Sequence, residues 1–271
     1  RAITLANELF DDQNLALDAE ACFDFVLSPE PTTGAWWKLD PRAQTVFIRE
    51  YFTDYATQGR ASEFYFERLA ADQGCTVLPR AEAVQRLGAF AQSVRDYSPF
   101  LSMPQTFADV GDNQFKEIRF GDLGMDDQRY FHARYQLADD EVLLLTWCVP
   151  ASYRYWSFAL YDDAWQMLNV RHRQANLNQA LAQVGADRQL VAVLSDADPG
   201  IANWLDVDGH RSGIVMLRTK GVSECALPSL QRVKRAQLAQ QLPRDTARIS
   251  TEARRAALAA RLHHFQRREQ R

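Results

Sequence analysis

Glu141-Val142-Leu143-Leu144-Leu145-Thr146-Trp147-Cys148-Val149, closed by Pro150 and followed by Tyr153-Arg154-Tyr155-Trp156-Ser157-Phe158-Ala159-Leu160-Tyr161, is the stretch on which the fold turns. The first run is apolar along most of its length and of strand size, which suits a strand covered on both sides. The second alternates. On a strand, Tyr153, Tyr155, Ser157, Ala159 and Tyr161 share one face, while Arg154, Trp156, Phe158 and Leu160 share the other.

Outward from this pair, further strand-length segments are bounded by Asp, Gly or Pro: 114–120, 128–137, 166–171, 188–195 and 211–217. Helical crossovers are missing between them, so an antiparallel sandwich or jelly roll is expected over 106–228 rather than a parallel sheet. Residues 178–184 read as a short helical turn. Upstream, 22–27 places Phe23, Phe25 and Leu27 on one face, and 45–52 and 62–69 read similarly, with turn compositions at 29–34 and 57–59. These form an expected first β module over 1–78. Between the modules, Val84, Leu87, Phe90, Ala91 and Val94 recur at helical spacing behind Pro79 and ahead of Pro99, which makes 79–105 an amphipathic helix ending near Tyr97 plus a linker. The fold class is therefore mainly β, a β-rich α+β chain of two antiparallel modules joined by one helix.

The last segment, 229–271, differs in charge. It holds 11 Lys and Arg against 3 Asp and Glu, whereas the preceding residues hold 20 against 32, so a formal charge of -4 conceals an acidic body and a basic arm. Ala256, Leu258, Ala259, Leu262 and Phe265 make 251–270 helical, with Ser250 or Thr251 as its cap. Phe265 is the arm's one aromatic residue, too little for stacking on bases, so no nucleic-acid partner is expected. The arm is expected to lie across an acidic body, its own or that of a second copy in a homo-oligomer.

A hydrophobic share of 46%, with 24% charged residues, supports a folded core and excludes a disordered or low-complexity chain. No apolar run is long enough for a membrane-spanning helix, and no insertion is expected. The four cysteines are far apart and read as small buried hydrophobes rather than as disulfide partners. The chain opens on Arg1, as a processed or partial chain would, and the cytoplasm is the expected location.

Phosphate loops, dinucleotide fingerprints, zinc-protease helices and nucleophile elbows are absent, and neither a cofactor nor a metal is expected. His132 and Arg134 share a face of one strand, which a half-exposed strand explains as well as a ligand set would. Two stretches carry the remaining candidates. Tyr155 and Trp156, followed by Asn169, Arg171, Gln174 and Asn178, combine rings with amides and a guanidinium, the composition that orients a mostly apolar ligand. Downstream, Asn203, Trp204, Asp206 and His210 lie between two turns, and an Asp oriented on an imidazole would set up a general acid or base. A turn capped by its own side chains and anchored by Trp204 is the plain alternative.

The run Tyr155-Trp156 with Tyr161, then 171–178, then Asp198-Pro199-Gly200-x-x-Asn203-Trp204-Leu205-Asp206-x-x-Gly209-His210-x-x-Gly213 resembles the C-terminal domain of the bacterial domain-of-unknown-function family 1214. The resemblance reaches Trp36-Trp37-x-Leu39-Asp40-Pro41, Phe47-Ile48-Arg49-x-x-Phe52 and Leu242-Pro243-x-Asp245-Thr246. It implies a β-rich, jelly-roll-like architecture, often accompanied by a second β domain of the related family 1254, and it implies no reaction.

Two functions follow as expectations. One is a cofactor-independent lyase, isomerase or hydrolase acting on a small, largely apolar, oxygen-bearing molecule. There His210 moves the proton, Asp206 orients it, and Arg171 with Asn169, Gln174 and Asn178 holds the ligand oxygen. The other is a protein that binds a lipid, sugar or pigment without changing it.

Overall fold

The computed structural model describes residues 16–43, 46, 48, 50–54, 62–69, 77–97, 107, 109–118 and 127–269. Among these, the strands are β1 (Val26–Ser28), β2 (Trp36–Lys38), β3 (Lys116–Ile118), β4 (Gln128–Gln136), β5 (Glu141–Cys148), β6 (Tyr155–Tyr161), β7 (Asn176–Asn178), β8 (Gln189–Ser195), β9 (Trp204–Asp206), β10 (Ser212–Lys220) and β11 (Ser229–Lys234). The α-helices are α1 (Arg80–Tyr97), α2 (Leu238–Gln241) and α3 (Thr251–Glu269). The chain is mainly β with a C-terminal helix, as its pattern predicts.

Two sheets carry the body. A five-stranded sheet has the order β3-β4-β10-β6-β7, and a four-stranded sheet has the order β11-β5-β8-β9. Their facing sides share one core, with Phe131 and Tyr135 of β4, Trp156, Phe158 and Leu160 of β6 and Val215 and Leu217 of β10 packed among Leu143, Leu145 and Trp147 of β5 and Leu190, Ala192 and Leu194 of β8. Each such side chain contributes roughly 1.5–3 kcal/mol through burial. The unbroken apolar reading of β5 has a direct cause. Its other face, Val142 and Leu144, is covered as well, by Ile201, Val233, Leu238 and Leu242.

Two pairings differ from the antiparallel expectation. β1 pairs with β2 in parallel, Val26 opposite Trp36, and β8 pairs with β9 in parallel, Val193 opposite Trp204. Each connection contains a proline and a left-handed glycine, Gly34 at φ 89° and Gly200 at φ 72°, which double the chain back to run alongside itself in the same direction. Among the described residues of 1–78, the strands are this one short parallel pair. Residues 62–69 form no strand, and part of 45–52 lies outside the described residues, as do the turn at 57–59 and the linker from 98 to 105. Of 166–171, one bridge remains, Met167 to Tyr161, and 178–184 begins with the turn expected there, Leu181 and Ala182 N–H donating to the Asn178 carbonyl at 3.1 and 2.9 Å. Helix α1 forms where expected, yet its apolar stripe is exposed, Leu87 and Phe90 each at 67%.

The arm begins later than its charge suggests. β11 is an integral edge strand, paired along its length with β5. Beyond α2, Ala202 N–H donates to the Ala247 carbonyl at 2.8 Å and Ile249 N–H to that of Gly200 at 3.2 Å. Ser250 Oγ then caps α3 by accepting from Ala253 N–H at 3.1 Å. Arg254 is buried and forms the anchor. Its guanidinium donates to Asp198 at 3.0 Å, to Gln174 Oε1 and to the Ile201 carbonyl, and lies 5.2 Å from the Trp204 ring centre. One face further along, Arg261 donates to the Val170 carbonyl at 3.1 Å and to Asn176. The basic arm therefore lies on the body of its own chain.

Candidate functional site

His210 and Asp206 are not brought together. Asp206 is buried on β9, where its carboxylate accepts from Arg173 at 3.3 Å and from Asp208 N–H at 2.9 Å. Burial raises its pKa, opposed by the Asp208 N–H and by Arg173. His210 is exposed just after Asp208 and Gly209, both at positive φ, and it is tied in by its backbone N–H on the Val207 carbonyl at 2.9 Å. The Asx turn at Asp206 sends the chain outward before residue 210, so the expected acid-base pair does not form.

The expected binding residues divide among unrelated places. Gln174 is buried, donating to the carbonyls of Ala202 and Trp204 at 2.9 and 2.7 Å, and Asn203 clasps the Gln183 backbone through both its amide atoms while donating to Val191 O at 3.0 Å. Trp204 Nε1 donates to the Ser195 carbonyl at 3.0 Å. All three fasten β9 and its surroundings to the body. Asn169 is exposed and its side chain accepts from His172 N–H at 3.3 Å; Arg171 is exposed as well. Trp156 lies in the core, 5.3 Å from Trp147 ring to ring.

Tyr155 and Asn178 stand elsewhere, on the outer face of the five-stranded sheet. Because β6 sends Trp156, Phe158 and Leu160 inward, its other face, Tyr155, Ser157, Ala159 and Tyr161, turns out. Register then fixes two transverse rows. Asn178, Ser157, Arg218, Tyr130 and Ile118 form one, and Asn176, Ala159, Met216, His132 and Lys116 form the next. Arg218 enters because β10 continues to Lys220, three residues past the bound expected at Leu217.

Both ends of this face are roofed. At one corner, Asn178 donates to the Thr53 carbonyl at 2.8 Å, and the Tyr51 ring lies 5.2 Å from that of Tyr155 with its hydroxyl on Gln128 at 2.8 Å. At the other, Phe107, Val110 and Trp165 pack on Ile214 and Tyr161. Trp165 also meets the His132 ring edge-on at 4.9 Å. Between the corners lie Ser157 and Ala159, small and also buried, with the half-buried Arg218 lying over the Tyr130 ring at 5.0 Å. Arg218 Nε is buried and has no hydrogen-bond acceptor. His132 is held to a pKa of about 3 by burial and by the nearby charges of Arg218 and Lys116, so its ring is neutral at pH 7. Burial likewise raises the Tyr161 phenol.

A separate groove of about 550 Å³ runs past Cys148, Arg188, Ser223 and Cys225 at the end of the sandwich. Cys148 and Cys225 are half-buried and Cys22 is exposed, so the expectation of buried cysteines fails for Cys22, while Cys75 lies outside the described residues. Among the described residues no three His, Cys, Asp or Glu side chains are placed to hold a metal ion, and no helix is long and apolar enough to cross a membrane.

No protein-family model matches the chain, and no curated protein matches it. Among solved structures, the chain is similar to the crystal structure of an uncharacterized protein from Burkholderia cenocepacia, with TM-score 0.70 and 24% identity over 84% of this chain and 64% of that one. The chain thus spans about 64% of that protein's length. A protein from Vibrio parahaemolyticus matches with TM-score 0.33 and 14% identity over 59% of this chain and 47% of that one, which carries no argument. What the Burkholderia protein shares with this chain is the fold.

Proposed function

We propose that the chain binds a small, largely apolar, oxygen-bearing molecule on the outer face of its five-stranded sheet and does not transform it. The observation that carries this reading is the half-buried Arg218 guanidinium on the Tyr130 ring, on the same face as the half-buried rings of Tyr155, Tyr161 and Trp165, while Ser157 and Ala159 beneath are themselves buried. Rings supply contact area, and hydroxyl and guanidinium groups supply orientation. The acid-base enzyme reading lacks equivalent support, since its proton carrier is exposed and its carboxylate is committed to Arg173. In the same reading the chain works in the cytoplasm and is a relative of family 1214, which it resembles through Tyr155-Trp156 with Tyr161, 171–178, the run from Asp198 to Gly213 and the flanking segments quoted above.

A thermal-shift screen of hydroxylated apolar compounds tests it, because a ligand of the folded state raises the melting temperature. Tyr155→Ala, which removes one half-buried ring of the face, should reduce the shift produced by any hit, with Tyr155→Phe as the conservative control that retains it. A screen without hits, or hits that act equally on the alanine variant, would sink the reading.

A further inference from the structure

The socket that holds Arg254 is built by the body rather than by the helix that fills it. Asp198 takes the guanidinium on two atoms, Oδ2 accepting from Nε at 3.0 Å and Oδ1 from Nη2 at 3.5 Å. Gln174 Oε1, the Ile201 carbonyl and, at 3.4 Å, the Ala202 carbonyl accept from its other nitrogens, and the Trp204 ring centre lies 5.2 Å away. Each wall is fixed from elsewhere in the body. Gly200 N–H donates to Asp198 Oδ1 at 2.9 Å, Gln174 Nε2 donates to the Ala202 and Trp204 carbonyls, and Trp204 Nε1 donates to the Ser195 carbonyl. A carboxylate met by the fork, carbonyl acceptors and a ring together form a receptor for a planar guanidinium, and an ammonium lacks the fork to use it.

Besides that one side chain, α3 brings little buried surface. From 251 to 267 Arg254 alone is buried, and Leu258, Leu262 and Phe265 are half-buried. The bonds from Arg261 to the Val170 carbonyl and Asn176 are again polar. The segment ahead of the helix is tied separately, Ala247 to Ala202 and Ile249 to Gly200, so α3 can swing away from Ser250 onward while the socket keeps its walls. An element with so little buried apolar surface opens at the low end of a protein's range of local stabilities.

We propose that this socket is a binding site for an arginine side chain of another polypeptide, with Arg254 as its intramolecular occupant and α3 as a strap that the partner displaces. The tether gives Arg254 a high effective concentration, so the emptied socket is the form to titrate.

Arg254→Ala empties it in the full chain, and circular dichroism reports whether that variant keeps its fold. In calorimetric titration N-acetyl-arginine amide should bind the variant at least about tenfold more tightly than N-acetyl-lysine amide, which carries the same charge without the fork. Adding Asp198→Asn should weaken the arginine probe by at least about tenfold. Hydrogen exchange of the native chain needs no variant and reads the rare open state directly. There the α3 amides should exchange faster in proportion to the concentration of the arginine probe, reaching at least about threefold, while the lysine probe at equal ionic strength leaves them unchanged. Equal binding of the two probes, no binding to the emptied socket, or arginine binding untouched by Asp198→Asn would overturn the site. Exchange of α3 that is the same with either probe would overturn the strap.

Discussion

Arg218 lies over the Tyr130 ring with 5.0 Å between guanidinium carbon and ring centre, and no carboxylate among the described residues answers its charge. A cation on a ring gains about 0.5–2 kcal/mol, which is less than the cost of a buried charged donor left unbonded. Arg218 therefore gains the fold little. Replacing it with methionine, similar in length and uncharged, should leave the ligand-free protein as stable as before or more stable by about 1 kcal/mol. Urea unfolding measures this, and a loss of more than about 1 kcal/mol would make Arg218 a structural residue.

His132 gives the fold a pH dependence of predictable sign. Its pKa is 6.5 in the unfolded chain and about 3 in the fold, so the unfolded state takes up the proton first as pH falls. Its contribution is complete above pH 6.5 and is lost as pH drops toward 3, by up to about 1.4 kcal/mol per unit. Between pH 6.5 and 5, stability should fall more steeply in the native chain than in His132→Phe. Parallel curves would show that the ring accepts a proton without leaving its place.

Arg254 holds the C-terminal helix to the body through Asp198, Gln174 and the Ile201 carbonyl. Truncation strips partners from several buried groups at once, so Arg254→Ala should cost about 3 kcal/mol. The adjacent Arg255, which is exposed, should tolerate alanine within about 0.5 kcal/mol. Chemical denaturation of the two variants separates an anchor from a generic basic helix, because charge alone would make them equal.

Gly213 illustrates a residue whose identity is fixed by space. A Cβ there would meet the Tyr161 carbonyl oxygen at 2.4 Å and the Tyr135 hydroxyl at 2.7 Å, one of them backbone in the paired strand. Gly213→Ala should destabilise by about 1–3 kcal/mol, the usual cost of overpacking, seen as a lowered melting temperature. An unchanged melting temperature would mean that β6 and β10 can separate locally at no cost.

The body's strands were legible because β5 and β6 obey simple rules: a strand covered on both faces reads as continuous hydrophobicity, and one covered inward reads as alternation. Trp204–Asp206 and Ser229–Lys234 were hidden for physical reasons. The first is a strand of three residues inside a polar, turn-rich loop, where side chains that brace β9 resemble side chains that bind a ligand. The second carries Arg232 and Lys234 because edge strands keep a charged, solvated side, and its charge made it look like part of the arm. Of the site, Tyr155 and the alternation of β6 were visible. Arg218 was not, because Thr219 and Lys220 disguise the end of β10, and a cross-strand row becomes apparent only once register is known.

The most direct test of the central claim is a crystal structure of the chain soaked with the hydroxylated apolar compound that raises its melting temperature most. The account predicts ligand density against the Tyr155, Tyr161 and Trp165 rings, with a ligand oxygen in hydrogen-bond reach of the Arg218 guanidinium. Density confined to the groove beside Cys148 and Cys225, or to the surface near His210, with none on the outer face of the five-stranded sheet, would contradict it.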